Sequence, residues 1–564
     1  MRSSIAPASA LTVALALALA ATACSSSGAG APNAGKAGNG STPAVASAKV
    51  DYNPQPYDNI KDGGTYTTPG TFDDQGNPFN ANATLTASRV WFWYNPDVIT
   101  YSPTGDVQYN PDYLSDVKVT VTGGNQRVVL TLNPKATYND GTPIDWRAVK
   151  ATWQANNGSN KDYNATNTEG YRNIVSVTRG TDDRQAVIDF KGVDPWWSSL
   201  FTTFLHPKAA TVANFNDAYV KKAHPEWGAG PYTVGTFDTK SGNLTFVRNP
   251  KWWGKRGKLD KRVYVNLDSE AAINAFKNGQ VDYASTGSAE GLKQISGVNG
   301  TEIRRGGSPF EYSLYVNSKS PVLKDVEVRK ALLKSVDRTQ IAKIQFQGLD
   351  YSEPLPGSAL LYSFQKGYSD NVSSVIKYAP DEAKKALDAA GWKADGDGVR
   401  EKNGTKLRVG YTLLGDDPLE KATANAFAAM LKPVGIQVDI KKADEADFSK
   451  ILSDRDFDLF LSGNRSTDPF GARYLYQFYG TDSDSNLTGT GTPELDKEIH
   501  AASRISDPAR QTAQANAIER KELAQYAFLP LYSGPSVYGV KKGLANVGAT
   551  IFGTPLPETV GWQK

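Results

Sequence analysis

The clearest rhythm of apolar and polar positions in this 564-residue chain lies in its second half. From 406 to 413, Leu407, Val409, Tyr411 and Leu413 alternate with their neighbours, the period of a strand. The alanine-rich stretch 418–432 predicts a helix. Ile436, Val438 and Ile440 alternate again, 447–452 reads as a short helix, and 457–461 is a compact apolar strand. Strand–helix–strand–helix–strand with short links predicts a parallel α/β sheet, whose ligands sit in the crevice beyond the carboxyl ends of the strands. The loop expected to leave the last strand, 462–468, is therefore the leading candidate for ligand contact, through Ser462, Asn464, Arg465 and Asp468.

The first half is strand-rich. Segments 117–122 and 127–132 flank Gly123-Gly124-Asn125 as a hairpin, and 174–178 with 186–190 form a second. Between them, Thr142 is expected to cap a helix, with Pro143 in its first position and Asp145 completing a capping box. Trp146, Val149 and Trp153 would share one face of that helix. Pro231-Tyr232-Thr233-Val234 reads as a strand, 269–278 as a short helix stopped by Gly279, and Val281-Asp282-Tyr283 as strand-like. The dense cluster Trp91-Phe92-Trp93-Tyr94, read as a strand, would split its rings between two faces. One pair would pack in the core, and Trp91, Trp93 and Tyr94 are candidates to line an aromatic pocket.

The N-terminus carries a different signal. Arg2, an apolar run over 11–20 and the small residues Ala21-Thr22-Ala23 before Cys24 have the layout of a lipoprotein export leader. The run falls short of the ~20 apolar residues a spanning helix needs. Cys24 is the sole cysteine, and its diacylation after cleavage would anchor the chain stably to a membrane. Residues 25–49 are mostly Ser, Gly, Ala, Pro and Asn, with Lys36 the sole charge before Lys49, the composition of a flexible tether.

Composition narrows the function classes. With 62 basic and 59 acidic side chains and no basic block, nucleic acid is not an expected partner. The three histidines, His206, His224 and His500, are scattered, and neither a His-Glu-x-x-His pair nor a Cys/His cluster exists, so no zinc site is expected. A nucleophile elbow and a phosphate loop are also missing. Asp395-Gly396-Asp397-Gly398 hints at a calcium loop but lacks its further ligands, and reads as a hairpin turn. The 11 tryptophans and 27 tyrosines suit recognition better than catalysis. No catalytic residues, metal or cofactor are expected.

Several motifs, in order, resemble one family. Val128-Val129-Leu130-Thr131-Leu132 leads to Tyr138-Asn139-Asp140-Gly141-Thr142-Pro143. Gly228-Ala229-Gly230-Pro231-Tyr232 precedes Arg248-Asn249-Pro250-Lys251-Trp252-Trp253. Then come Tyr315-Val316-Asn317, Asp325-Val326-Glu327-Val328-Arg329-Lys330-Ala331 with Asp337-Arg338, and the helix-like 383–392 ending in Gly391-Trp392. Over about 63–532 the chain resembles the family 5 extracellular solute-binding proteins, which feed oligopeptides, dipeptides, nickel and some glycans to ATP-driven importers.

The resemblance implies a two-lobed α/β fold of the type II periplasmic-binding-protein kind, cluster C-like, with an extra subdomain in the first lobe. Its expected layout is a leader over 1–23, a tether over 24–50, lobe I over 51–309 and 529–564 with the subdomain inserted at about 81–226, and lobe II over 310–528. Leu529-Pro530-Leu531-Tyr532 would be the return strand. The lobes would close on a peptide, or on an oligosaccharide or metal chelate, and a monomer would dock on a membrane permease. A surface hydrolase on the same fold would need an acid–base pair or nucleophile that is not found. Tyr312 and Asn317, at the start of lobe II, join the candidate ligand contacts. Arg329 and Asp337, eight apart on one expected helix, are read as a structural salt link. Peptide-binding members carry, after the last strand, an aspartate that pairs with the ligand's ammonium; here Arg465 falls at that place, with Asp468 three residues on. A basic residue that the family usually sets after the signature strand is replaced by Asn133-Pro134.

Overall fold

The strands predicted in the second half assemble into one sheet, but not a purely parallel one. In this computed structural model, which describes residues 49–70, 76–83, 85–483 and 485–564, Arg408–Leu414 runs parallel to both Gln437–Ala443 and Leu459–Arg465. The helices Pro418–Leu431 and Phe448–Asp454 make the two crossovers. Asp417 starts the first by accepting the backbone N–H groups of Leu419 and Glu420, with Pro418 in the first turn. Phe310–Val316 then pairs antiparallel with Leu459–Arg465, and Phe528–Tyr532 closes the five-stranded sheet. Leu314, Tyr411, Phe427, Leu459 and Leu529 lie in its core.

This partner shifts two expected boundaries. The last parallel strand runs through Arg465, because Phe310 pairs with it there, so Ser462, Asn464 and Arg465 sit on a strand and not in a loop. Leu529-Pro530-Leu531-Tyr532 belongs to the same sheet as the strand it was expected to leave. The chain passes from the three-stranded sheet of Tyr283–Thr286, Pro535–Lys541 and Thr301–Gly307 into the five-stranded one at Ser308-Pro309, and returns at Ser533-Gly534. The Ser533 hydroxyl donates to the carbonyls of Ser308 at 3.2 Å and Phe310 at 2.8 Å, stitching the two passages together. A Cβ on Gly534 would stand 2.0 Å from the Phe346 ring, so the passage is built around a glycine.

The first half carries a four-stranded antiparallel sheet, Leu114–Thr122, Asn125–Leu132, Gln185–Phe190 and Ile174–Arg179, in that spatial order. Gly123 and Gly124 turn its first hairpin, both at positive φ, as a two-residue primed turn requires. The helix Trp146–Asn156 covers this sheet, with Val149 buried and Trp146 and Trp153 partly so. Its cap is Asp145, which accepts from the Arg147 N–H; Thr142-Pro143 lies outside the helix, with Pro143 bridged to Thr137. A further sheet joins Thr65–Pro69, Lys261–Val265, Asn243–Arg248 and Tyr232–Asp238.

Three of the sequence motifs converge on one buried junction. Asn249 donates to the Asn139 side chain at 2.9 Å and to the Gly230 carbonyl at 2.8 Å, while the Asn139 N–H donates to Gly228. The N–H groups of Ala229 and Gly230 both reach the Tyr94 carbonyl. A Cβ at Gly228 would stand 2.5 Å from that oxygen, so the glycine lets the Leu85–Tyr94 helix end against the motif. His206 and His224, far apart in sequence, both stack on Trp227.

Other expectations resolve differently. Arg329 and Asp337 stand on two elements: Asp337 caps Arg338–Gln345, whereas Arg329 on Val326–Lys334 donates to the carbonyls of Gln525, Leu323 and Lys324. Both are structural, without a salt link between them. The Asp395–Asp397 turn joins two short strands, its carboxylates held by Lys406 at 2.7 and 2.8 Å. Among the described residues no group of three His, Cys, Asp or Glu could hold a metal, and no helix is long and apolar enough to cross a membrane. The leader, Cys24 and the tether up to residue 48 lie outside the described residues.

One buried group gives a stability test. Glu522, on Pro508–Leu523, is 3 % exposed and neither carboxyl oxygen has a hydrogen-bond partner. Burial, with Asp496 adding to it, pushes its pKa up to about 8. The folded state therefore keeps a proton that the unfolded chain releases near the ordinary ~4.3, and this contribution to stability is lost as pH rises from there through about 8. Glu522→Gln is expected to match the parent below pH ~4 and to gain on the order of 1–3 kcal/mol near neutrality. Thermal melts across pH would show parallel curves for the two proteins if this assignment were wrong.

Candidate functional site

The place where the chain passes twice between sheets is lined by side chains from both. Arg465 ends its strand opposite Phe310, its guanidinium 5.3 Å from the Phe310 ring centroid. Among the described residues no carboxylate pairs with it. Burial pushes its pKa down, and the charge of Arg89, on the Leu85–Tyr94 helix, adds to that; Tyr538, Tyr362 and Tyr283 act in the opposite sense. Tyr283 and Tyr538 stack at 5.0 Å on the three-stranded sheet. Across from them the Tyr362 hydroxyl donates to Pro309 at 2.5 Å and to the Ser466 hydroxyl at 3.2 Å, and Phe552 packs edge-on against Tyr362 and Phe364. The Arg465 guanidinium thus lies against the Phe310 ring, beside a passage whose backbone Tyr362 holds.

Of the residues expected at the site, several prove to hold the scaffold. Asp468 is buried, with one oxygen accepting the Phe470 N–H at 2.9 Å and the other the Tyr474 hydroxyl. Burial raises its pKa against those two bonds. Asn317 donates to the carbonyls of Arg455 at 3.0 Å and Phe457 at 2.9 Å, and its oxygen takes the Lys319 N–H, which leaves it no side-chain donor pointing at a ligand. Asn464 donates to the Tyr315 hydroxyl at 2.6 Å, and half-buried Ser462 sits opposite Ser313. Tyr312 is 36 % exposed and stacks on Tyr532 at 5.1 Å.

The aromatic cluster is helical. Trp91 packs edge-on against Tyr219 and donates to Thr203, Trp93 lies against Tyr232 and Phe246, and Tyr94 against Phe246. All three are buried, and Trp91, Trp93 and Tyr94 pack in the core in place of the two-faced strand expected. Helical periodicity around Val90 puts the three on neighbouring buried faces, where a strand would have split them.

Residues that the sequence did not single out complete the seam. Arg89, Tyr283, Tyr362 and Tyr538 come from four separate segments, and no local pattern marks them. Glu311, two residues from the crossing, is buried, and burial together with Glu519 holds its carboxyl well above the usual range, against the pull of Arg338. Beyond the seam, the segment 81–226 touches the far side: Trp196 stacks on Phe470 at 5.0 Å and donates to Gln511, and Arg473 donates to Ser199.

Residues 108–486 match the model of the bacterial extracellular solute-binding proteins, family 5 Middle. The chain belongs to this family. It is 32 % identical over 462 residues to the oligopeptide-binding protein OppA of Mycobacterium tuberculosis H37Rv, covering 81 % of this chain and 77 % of that protein. A probable monoacyl phosphatidylinositol tetramannoside-binding protein, LpqW, of the same strain is 24 % identical over 395 residues, 64 % of this chain and 61 % of that one. Among solved structures, a periplasmic EDTA-binding protein, EppA, superposes with a TM-score of 0.82 at 23 % identity, covering 91 % of this chain and 98 % of that one. The oligopeptide-binding protein AppA of Bacillus subtilis, in complex with a nonapeptide, superposes at 0.70 and 18 %, covering 90 % and 100 %. The two-lobed solute-binding fold expected from the motifs is therefore the fold of this chain, and the family is one of binding proteins and not of enzymes.

The core assignment of Trp91 can be tested directly. Trp91→Ala is expected to cost ~3–5 kcal/mol in urea unfolding, the usual range for emptying a buried aromatic site. Trp91→Phe should leave the affinity for a bound peptide unchanged; a large loss of affinity in a folded Trp91→Phe protein would return the ring to the binding surface.

Proposed function

We propose that this protein is the lipid-anchored, extracytoplasmic substrate-binding component of an ABC importer, capturing peptides between two closing lobes and delivering them to a membrane permease. The observation that carries the reading is the pair of stitched passages at Ser308-Pro309 and Ser533-Gly534, beside a seam of aromatic and cationic side chains. Two adjacent strand passages are a natural hinge, because a small change in backbone angles there swings whole lobes. The lobes are assigned as 51 to about 308 with 534–564, and about 309–533, with the subdomain at about 81–226 in the first. The OppA relative supports a peptide as the solute, and the Cys24 leader supports anchoring at the outer face of the membrane. Tyr312 and Arg465 are the expected residues retained as ligand contacts, together with Tyr283, Tyr362 and Tyr538.

A second reading, a metal chelate or other polycarboxylate, is favoured by one observation: among the described residues no carboxylate pairs with Arg465, and the EDTA-binding protein EppA superposes well. Mass spectrometry of whatever the natively purified protein releases on denaturation separates the two. Peptides are expected; a chelate without peptides would replace the first reading by the second. Anchoring has its own test. Cys24→Ser is expected to shift the protein from the membrane fraction to the medium, and retention of the variant at the membrane would refute acylation.

A further inference from the structure

The two lobes also meet away from the seam. A turn of lobe II, 468–474, carries Phe470 and Arg473 onto the segment 81–226 of lobe I. Phe470, 8 % exposed, lies between two rings of that segment: Trp196 stacks on it at 5.0 Å with the planes 28° apart, and Tyr101 meets it edge-on at 5.7 Å. The Trp196 indole N–H donates to Gln511, on the Pro508–Leu523 helix of lobe II. In the opposite direction Arg473 donates to the Ser199 hydroxyl and, at 3.4 Å, to the Glu169 carbonyl. Among the described residues neither Phe470 nor Tyr101 joins the apolar cores, which reach Leu475 on one side and Ile99 on the other. Their burial comes from each other and from Trp196.

The turn is braced from its own side. Asp468 accepts the Phe470 N–H at 2.9 Å and the Tyr474 hydroxyl, and Gln365 donates to the Pro469 carbonyl at 2.8 Å. A Cβ at Gly471 would stand 1.5 Å from the Leu360 carbonyl oxygen, so only glycine lets the turn seat this closely on lobe II backbone. Asp468 makes no hydrogen bond to the segment 81–226 among the described residues; it acts through Phe470. Across the contact the fit is incomplete, because the Tyr101 hydroxyl is buried without a hydrogen-bond partner among the described residues. That orphaned hydroxyl opposes the contact, whereas ring stacking and the guanidinium bonds favour it. A small contact of mixed polarity between domains can part and re-form, as a continuous core cannot.

We propose that the turn 468–474 is a closure latch, Phe470 entering a socket made by Trp196 and Tyr101, with Asp468 as the positioning residue that presents it. This rests on the reading of two closing lobes and adds where the closed state draws stability apart from its cargo. The latch rings and donors engage one another, so the latch sets how long a cargo is held without choosing among cargoes.

The sole cysteine makes the test clean. In the full chain carrying Cys24→Ser, Lys118→Cys and Lys497→Cys, both exposed and one on each side, take a fluorophore pair. Single-molecule energy transfer is recorded without and with a mixture of random-sequence tetrapeptides. The parent is expected to populate two transfer efficiencies, with peptide favouring one, the closed state. Trp196→Ala, Phe470→Ala and Asp468→Ala should each lower that population at least about threefold, free and with peptide alike. Trp196→Phe, which keeps a stacked ring and loses the bond to Gln511, should retain most of it. Variants that merely melt lower, with the closed population of the parent, would overturn the latch and leave lobe closure standing. Two populations that peptide does not shift but the variants do would uphold the latch and overturn the peptide reading. One unchanging efficiency in the parent, with and without peptide, would overturn closure and latch together.

Discussion

The structure depends on a chain that must pass twice through the same narrow place. Thr301–Gly307 feeds Phe310–Val316, and Phe528–Tyr532 feeds Pro535–Lys541, so both passages join the same two sheets within a few residues. A single hydroxyl, that of Ser533, accepts no role in either sheet yet bridges both passages through the Ser308 and Phe310 carbonyls. Carbonyls leaving a strand have no ladder partner, and buried ones are costly unless satisfied. One hydroxyl proton shared between them, stronger toward Phe310, keeps the passages together without making them part of a continuous sheet. The sheets on either side can then change their mutual angle with only a few backbone torsions moving, which is what a hinge requires.

The family motifs, so regular in sequence, serve this frame at a distance from the seam. Asn249, Asn139, Gly228 and Gly230 lock one another and receive the end of the Leu85–Tyr94 helix on the Tyr94 carbonyl. That lock fixes the end of the Leu85–Tyr94 helix relative to the Tyr232–Asp238 strand. Motif residues thus act on the site through position and not through contact, which is why their clear signature says little about the cargo.

What the sequence made legible divides along the same line. Periodicity located the strands around Val409 and Val438 and the helix from Pro418 almost to the residue, because each pattern is local and each strand lies in a regular parallel unit. It failed at Arg465, where strand extent is set by Phe310–Val316, a partner some 150 residues distant. It also failed at Thr142, where Asp145 three residues later makes an equally good cap and wins because its carboxylate reaches the Arg147 N–H. The Trp91–Tyr94 cluster misled for a related reason: four consecutive aromatic residues carry no period of their own, and the helix is imposed by packing against Tyr219, Tyr232 and Phe246. Of the proposed site, Arg465 and Tyr312 were within reach of sequence reasoning, whereas Tyr283 and Tyr538 stack only through the pairing of strands far apart in sequence.

The contrast between Arg465 and Asp468 shows how three residues of displacement set the sign of a site. Asp468 sits where the chain turns toward Phe470, and a turn that buries a carboxylate must supply donors; the Phe470 N–H and the Tyr474 hydroxyl do so, leaving no strong acceptor for a ligand cation. Arg465 sits at the last paired position of its strand, opposite Phe310, and its guanidinium lies over the Phe310 ring. Stacking on an aromatic face holds a guanidinium without neutralising it. A cation held in place but not neutralised is poised to act on whatever enters the seam, and a buried acid with both oxygens bonded is not.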